Sequence, residues 1–263
     1  MYKGFDLKLS ELERNNFFWE NFNLGEALYS EDRKKIKKTL EFILDSDETI
    51  DGSKAQEIWF PQIESDIFIS HSHNDIDLAK YLSGWLKVKF GIKSFIDSSL
   101  WSDYKTLLSE LNEYSWMDKS NKTYYHDKAN FAASHAHMML STALTMMIDR
   151  TECLIFLNTD NSIPSYSKKD QTESPWIYLE ISLSKYIEKK TPLRFKFLSE
   201  SERTFLETKN YAQTRPLKVT YNLDLSHLYK IPQSKLFNLF GGMIIEDKYD
   251  ALNAFYKLFD QKG

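Results

Sequence analysis

Apolar residues in this chain gather in short runs that stop at polar loops, separated by stretches in which only one side is apolar. Asp66-Ile67-Phe68-Ile69-Ser70 is such a run, and it predicts a strand buried on both faces that ends in the loop His71-Ser72-His73-Asn74-Asp75. Asn74 or Asp75 can cap the helix that follows. Its Leu78, Leu82, Trp85 and Leu86 share one side, and Gly91 stands where a C′ glycine ends a helix. Ile92 to Asp97 reads as a second strand, so strand, helix and strand fit within about 30 residues, the size of a βαβ unit with parallel strands.

The pattern repeats further on. Residues 98–127 are irregular and rich in Trp, Tyr, Ser and Asn, with a helix predicted over Tyr104 to Glu113, and a long helix follows from Lys128 to Asp149 with Leu140, Leu144 and Met147 on its apolar face. Thr151 to Asn158 supplies another buried strand. Ser174-Pro175 opens the next helix, because proline is tolerated in a first turn, and Lys185, Lys189 and Lys190 lie at its end, where the helix dipole favours cations. Leu193 to Leu198 reads as a further strand, and this βα alternation predicts a doubly wound parallel sheet. Before it, residues 1–62 read as two polar-faced helices, the second starting at Ser30-Glu31-Asp32 and carrying Ile36, Leu40 and Ile43. Its basic run, Arg33 to Lys38, reads as a solvated face. After residue 199 the pattern predicts a strand over Leu217 to Leu223, a turn at Gly241-Gly242 and a terminal helix with Leu252, Phe255 and Phe259.

Composition narrows the class. The chain has 263 residues, and its eight glycines and six prolines exclude collagen-like and Pro/Gly low-complexity sequences. A formal charge of −4 offers no overall attraction to nucleic acid or to an anionic membrane, and no apolar run approaches the roughly 18 residues of a membrane span. A single cysteine, Cys153, and an N-terminus without a signal-peptide core point to a reducing, cytoplasmic setting.

In an open α/β sheet the loops after the strands converge on a crevice at the carboxyl edge. Here those loops are Ser70 to Asn74, Asp97 to Trp101 and Asn158 to Asp160, joined by the first turns of the helix that Ser174-Pro175 opens. In that helix Trp176, Leu179, Leu183 and Ile187 form an apolar stripe at about 100° per residue, and Glu180 falls about 40° from Trp176, where an apolar residue belongs. Spacing alone fits two roles for Glu180: a buried acid paired with a neighbouring donor, or a catalytic carboxylate. Burial would raise its pKa and the helix N-terminus would lower it, so the sequence leaves the net sign open. His71 and His73 lack the cysteine or carboxylate partners of a zinc site, His135 and His137 point to different helix faces, and Cys153 opens an apolar strand as core filling, so no metal site is expected. The chain also lacks GxGxxG and P-loop motifs. Trp101, Tyr104, Trp116, Tyr124 and Tyr125 could stack on a ligand ring or simply pack the long insertion.

Taken in order, Asp66-Ile67-Phe68-Ile69-Ser70, Phe95-Ile96-Asp97 and Ser174-Pro175-Trp176-Ile177-Tyr178-Leu179-Glu180, the last as a Trp-x-x-x-Glu segment, resemble the motifs of a Toll/interleukin-1 receptor (TIR) domain. The resemblance spans residues 64–198. It implies a flavodoxin-like doubly wound parallel sheet, with residues 1–63 as a helical N-terminal extension and 199–263 as a C-terminal α+β extension packed on the TIR domain. Many bacterial and plant TIR domains cleave NAD at the nicotinamide–ribose bond. By resemblance Glu180 is catalytic, Trp176 is its supporting neighbour, and His71, Ser72 and Asp97 are substrate-binding candidates; Trp101 joins them as an aromatic residue beside the crevice. The reaction needs no cofactor, since NAD+ is the substrate, and its product is ADP-ribose or a cyclic ADP-ribose isomer. The stand-alone bacterial type is similar to the TIR component of Thoeris anti-phage defence, which implies a nucleotide signal sensed by a separate effector and self-association through TIR contacts. The alternative is a non-catalytic TIR interaction module. Two departures stand out: Trp101-Ser102-Asp103 where the family commonly has a glycine, and a longer stretch between Glu113 and Lys128.

Overall fold

The computed structural model describes residues 1–8, 16–36, 50–101, 104–165, 170–192, 194, 220–238 and 245–260. In chain order the strands are β1 (Lys3–Lys8), β2 (Ile67–Ser70), β3 (Ser94–Phe95), β4 (Trp116–Asp118), β5 (Thr123–Tyr124), β6 (Cys153–Asn158), β7 (Gln171–Thr172), β8 (Tyr221–Asn222) and β9 (Tyr229–Pro232). The helices are α1 (Asn16–Ile36), α2 (Gly52–Trp59), α3 (Ile76–Phe90), α4 (Asp97–Leu100), α5 (Tyr104–Asn112), α6 (His126–Arg150), α7 (Pro175–Tyr186), α8 (Gln233–Asn238) and α9 (Lys248–Asp260).

Five strands form the central sheet in the order β3-β2-β6-β1-β9, and every neighbouring pair is parallel. Phe68 and Ile69 point to opposite faces and are both fully buried, as are consecutive residues of β6, so the sheet is covered on both sides, as parallel sheets require. The result is a mixed α/β architecture flanked by helices and compatible with a flavodoxin-like fold. In the flavodoxin-like order 2-1-3-4-5, β3, β2 and β6 hold the 2-1-3 places, and β1 takes the place beside β6 that a later strand would hold.

β1 corrects the expectation that residues 1–63 are helical. Phe5 and Leu7 are fully buried, and β1 pairs with β6 on one side and β9 on the other. Lys3, Asp6 and Lys8 interrupt the apolar pattern of this segment, although alternation is present at Phe5 and Leu7. The helical part also differs: α1 runs through Ser30, whose hydroxyl bonds back to the Ala27 carbonyl at 3.0 Å instead of starting a new helix. Leu40 and Ile43, the strand expected at Leu193 to Leu198 apart from Arg194, and Gly241-Gly242 lie outside the described residues. Of the strand expected at Leu217 to Leu223, the described part forms β8, paired antiparallel with β7.

Elsewhere the sequence signals act as expected. Gly91 sits at φ 67°, in the left-handed region, and its N–H closes α3 on the Lys87 carbonyl. Ser174 caps α7 by accepting from the Ile177 N–H at 3.3 Å, with Pro175 in the first turn. No helix among the described residues is long and apolar enough to cross a membrane.

α1 crosses α3 with two glycines at the contact. A methyl on Gly25 would overlap the Lys80 carbonyl oxygen, and one on Gly84 would overlap the Asn21 carbonyl oxygen, so only bare backbone lets the helices approach this closely. Beside the crossing, Tyr29 donates to the Ser94 carbonyl at 2.9 Å and lies 2.6 Å from the Ser83 hydroxyl, tying α1 to both α3 and β3. Because backbone cannot rotate away, Gly84→Ala is expected to destabilise the protein by about 1–3 kcal/mol. Adding Gly25→Ala should cost less than its single-variant effect, since the helices are already forced apart. Urea denaturation of the two single variants and the double variant checks both points; additive losses would mean the two glycines act independently.

Candidate functional site

α7 places Glu180 by simple periodicity. Its buried residues are Ile177, Glu180, Ile181 and Ser184, an i, i+3, i+4, i+7 face, while Trp176, Leu179 and Leu183 are only half-buried. Glu180 is therefore in the middle of the inward face, and it is 3% exposed. At the carboxyl end of β2, the Ser70 hydroxyl donates to Glu180 Oε2 at 2.6 Å. Asp97, the first residue of α4 after β3, contributes a second negative charge that acts on Glu180.

The sign that sequence left open is now settled. Burial pushes the Glu180 carboxyl well above its ordinary value of 4.5, the Asp97 charge adds to the rise, and the Ser70 hydrogen bond offsets part of it. The helix dipole does not reverse this, because Glu180 lies beyond the first turn of α7, where the dipole effect fades.

His71 follows Ser70 and is buried at the same edge. Its Nδ1 lies 3.2 Å from the Ile69 carbonyl and 3.8 Å from Asp97 Oδ1, and its Nε2 lies 2.8 Å from the Ser98 hydroxyl. A carbonyl only accepts, so Nδ1 carries a proton, and in the neutral ring Nε2 then accepts from Ser98. His71 thus ties the loop after β2 to the start of α4. Ser72 is half-buried and its carbonyl accepts from the Asp75 N–H at 2.8 Å, shaping the turn into α3. Asp75 does not cap α3 with its side chain; buried, it accepts from Thr159 Oγ1 at 2.5 Å and Asn161 Nδ2 at 2.7 Å, which clamps the loop after β6 onto the loop after β2.

Two expected residues stand apart from this group. The Trp101 ring is buried against Phe60 and Phe95, and its indole N–H donates to the Pro61 carbonyl at 3.0 Å. Trp176, one helical turn before Glu180, is half-buried and packs edge-on against Tyr104 and His137, with both centroid separations at 5.7 Å. The remaining aromatics of the insertion form a small arm, in which Trp116 stacks on Tyr124 across β4 and β5.

Ser70 and Ser98 are the site residues that sequence reasoning passed over. Ser70 had a readable signal, a hydroxyl closing an otherwise apolar strand at the sheet's carboxyl edge. Ser98 had none beyond lying next to Asp97. A separate cleft of about 750 Å³ opens on the other half of the edge, at the ends of β1, β6 and β9, and neither Glu180, Ser70, His71 nor Asp97 lines it. Comparison with protein-family models, curated proteins and solved structures gave no match.

The raised Glu180 carboxyl sets a pH signature. With its folded value above the unfolded one, its contribution to stability is complete below the ordinary carboxylate value and is lost as pH rises through the raised value. Glu180→Gln, a neutral isostere, removes that dependence. Urea midpoints measured from acid to alkaline pH should therefore show the variant gaining on the wild type as pH rises, and parallel curves would mean that Glu180 ionises as freely as a surface carboxylate.

Proposed function

We propose that the protein is a TIR-type nucleosidase with a flavodoxin-like sheet, which cleaves the nicotinamide–ribose bond of NAD+ to give nicotinamide and ADP-ribose or a cyclic ADP-ribose isomer. One observation carries the reading. The three segments of the TIR resemblance, far apart in sequence, meet at one edge of the sheet: Ser70 from the first bonds Glu180 from the third at 2.6 Å, within the field of Asp97 from the second.

The chemistry needs little more than a placed anion. When the C1′–N bond breaks, its electron pair leaves with the pyridinium nitrogen, so nicotinamide departs neutral without a general acid, and positive charge develops on the ribose as in glycoside hydrolysis. Glu180, ionised and accepting from the ribose hydroxyls, stabilises that charge in a site that excludes water. Water attack at C1′ gives ADP-ribose and one proton; attack by another atom of the same nucleotide gives the cyclic isomer. In this reading His71 and Ser72 hold the loop that receives the nucleotide. Trp176, with Tyr104 and His137, offers an aromatic cluster to the nicotinamide ring. Burial and the nearby Asp97 charge work against the anion this role needs, so turnover rises with pH, and a restrained basal rate suits a cytoplasmic enzyme whose substrate its host needs. Anti-phage signalling through a separate effector, with activation by self-association, is the role that follows from the resemblance.

A second reading, a non-catalytic interaction module, draws on α6, where Phe131 is 68% and Met138 64% exposed on a helix without formal charge from Ala129 to Ile148. Mass spectrometry of NAD+ incubated with the purified protein separates the two. The enzyme reading predicts nicotinamide with ADP-ribose or its cyclic isomer, a rate that rises with pH, and a loss of about two to three orders of magnitude in Glu180→Gln. Equal release by the variant removes Glu180 from catalysis, and no cleavage at any protein concentration with a co-purifying partner favours the module.

A further inference from the structure

The cleft of about 750 Å³ on the far half of the sheet's carboxyl edge has the size of a small-molecule site, and its lining is chemically divided. Its floor holds Asp6 of β1, 5% exposed, which accepts from Asn158 Nδ2 of β6 at 2.9 Å on Oδ1. Leu223, Leu225 and Ile231 form an apolar wall, and Lys8, Lys230 and Lys235 stand at the exposed rim. Among the described residues none of these three lysines is engaged in an ion pair, whereas Asp224, also on the lining, is taken up by Lys185 at 2.5 Å. That leaves three cations against Asp6 and Asp170.

Each part matches a different part of one ligand class. Lysines at a rim recognise a phosphate as point charges. An apolar wall covers a flat ring. A buried carboxylate with one oxygen still to be satisfied accepts from a hydroxyl or amino group. The position agrees with the general rule that ligands of α/β sheets bind beyond the carboxyl ends of the strands. We propose that this cleft is a second binding site, separate from Glu180, for a nucleoside monophosphate-sized ligand, with the phosphate on Lys8, Lys230 and Lys235 and a hydroxyl or amino donor on Asp6.

Isothermal titration calorimetry on the full chain with AMP, adenosine and inorganic phosphate tests this, and none of these probes contains the bond that Glu180 is proposed to help break. AMP should bind more tightly than either adenosine or phosphate. Lys230→Gln with Lys235→Gln should weaken AMP by about tenfold and flatten its salt dependence. Asp6→Asn should weaken AMP while leaving phosphate unchanged, and Glu180→Gln should leave AMP affinity as in the wild type. Should Asp6→Asn fail to fold, the exposed lysine pair carries the test alone. Absence of AMP binding, AMP affinity indifferent to the lysines, or its loss in Glu180→Gln would each overturn the proposal, and none of these outcomes bears on NAD+ cleavage.

Discussion

The ladder that β1 makes with β6 and β9 holds the sheet together. A parallel sheet has no hairpins to join its strands, so each interior strand must be satisfied on both edges by segments distant in sequence. β1 does this for the strands C-terminal to it: Phe5 lies opposite Ile155 of β6 and Tyr229 of β9. Without β1, β9 would lose its partner strand, β6 would have an open edge, and the cleft would lose both Asp6 and Lys8. The same strand carries Lys3, 7% exposed, whose ammonium sits over the rings of Tyr2, Tyr229 and Tyr256, so the charge stays within reach of π faces while the stem packs.

Two carboxyls are buried at the carboxyl edge of this sheet, and they solve the same problem in the same way. Burial raises both Asp6 and Glu180 from their ordinary values, and each is offset by one hydrogen bond from the neighbouring strand or element, Asn158 for Asp6 and Ser70 for Glu180. An ionisable group in an apolar setting costs stability that an alanine or leucine would not. Among the described residues, Cys153 avoids that cost and Glu152 meets it. Cys153 stays neutral as core filling, its thiol pushed up by burial, and Glu152 is bound by Arg194 at two oxygens and by the Tyr256 hydroxyl at 2.8 Å. Asp6 and Glu180 thus each rest on one side-chain hydrogen bond, at two places along the same edge of the sheet.

What could be read from the sequence followed from how local its cause was. Gly91, the Ser174-Pro175 start and the buried runs at Ile67 and Cys153 depend on neighbours within a few residues, and each was legible. Glu180 was legible as a misplaced charge because helical periodicity is a local rule. β1 was not, since a six-residue segment with Lys3, Asp6 and Lys8 becomes a central strand only through pairing with residues some 150 and 225 positions away. The packing of Trp101 was hidden for a related reason. Aromatic residues near a crevice look alike in sequence, and only the Pro61 carbonyl, 40 residues earlier, decides that this indole belongs to the core. The partners of Glu180, Ser70 at a separation of 110 residues and Asp97 from a third segment, are likewise set by topology.

The Ser70 bond also bears on how a carboxyl sealed at 3% exposure could serve chemistry. Ser70 already donates to Oε2, so a ribose hydroxyl engaging that oxygen would exchange one hydroxyl donor for another, and such an exchange is close to neutral in hydrogen-bond energy. The barrier to use therefore lies elsewhere, in the packing of Ile177 and Ile181 on either side of Glu180 and in the tie that His71 makes between the loop after β2 and the start of α4 through Ser98. Only the second of these is polar and near the surface.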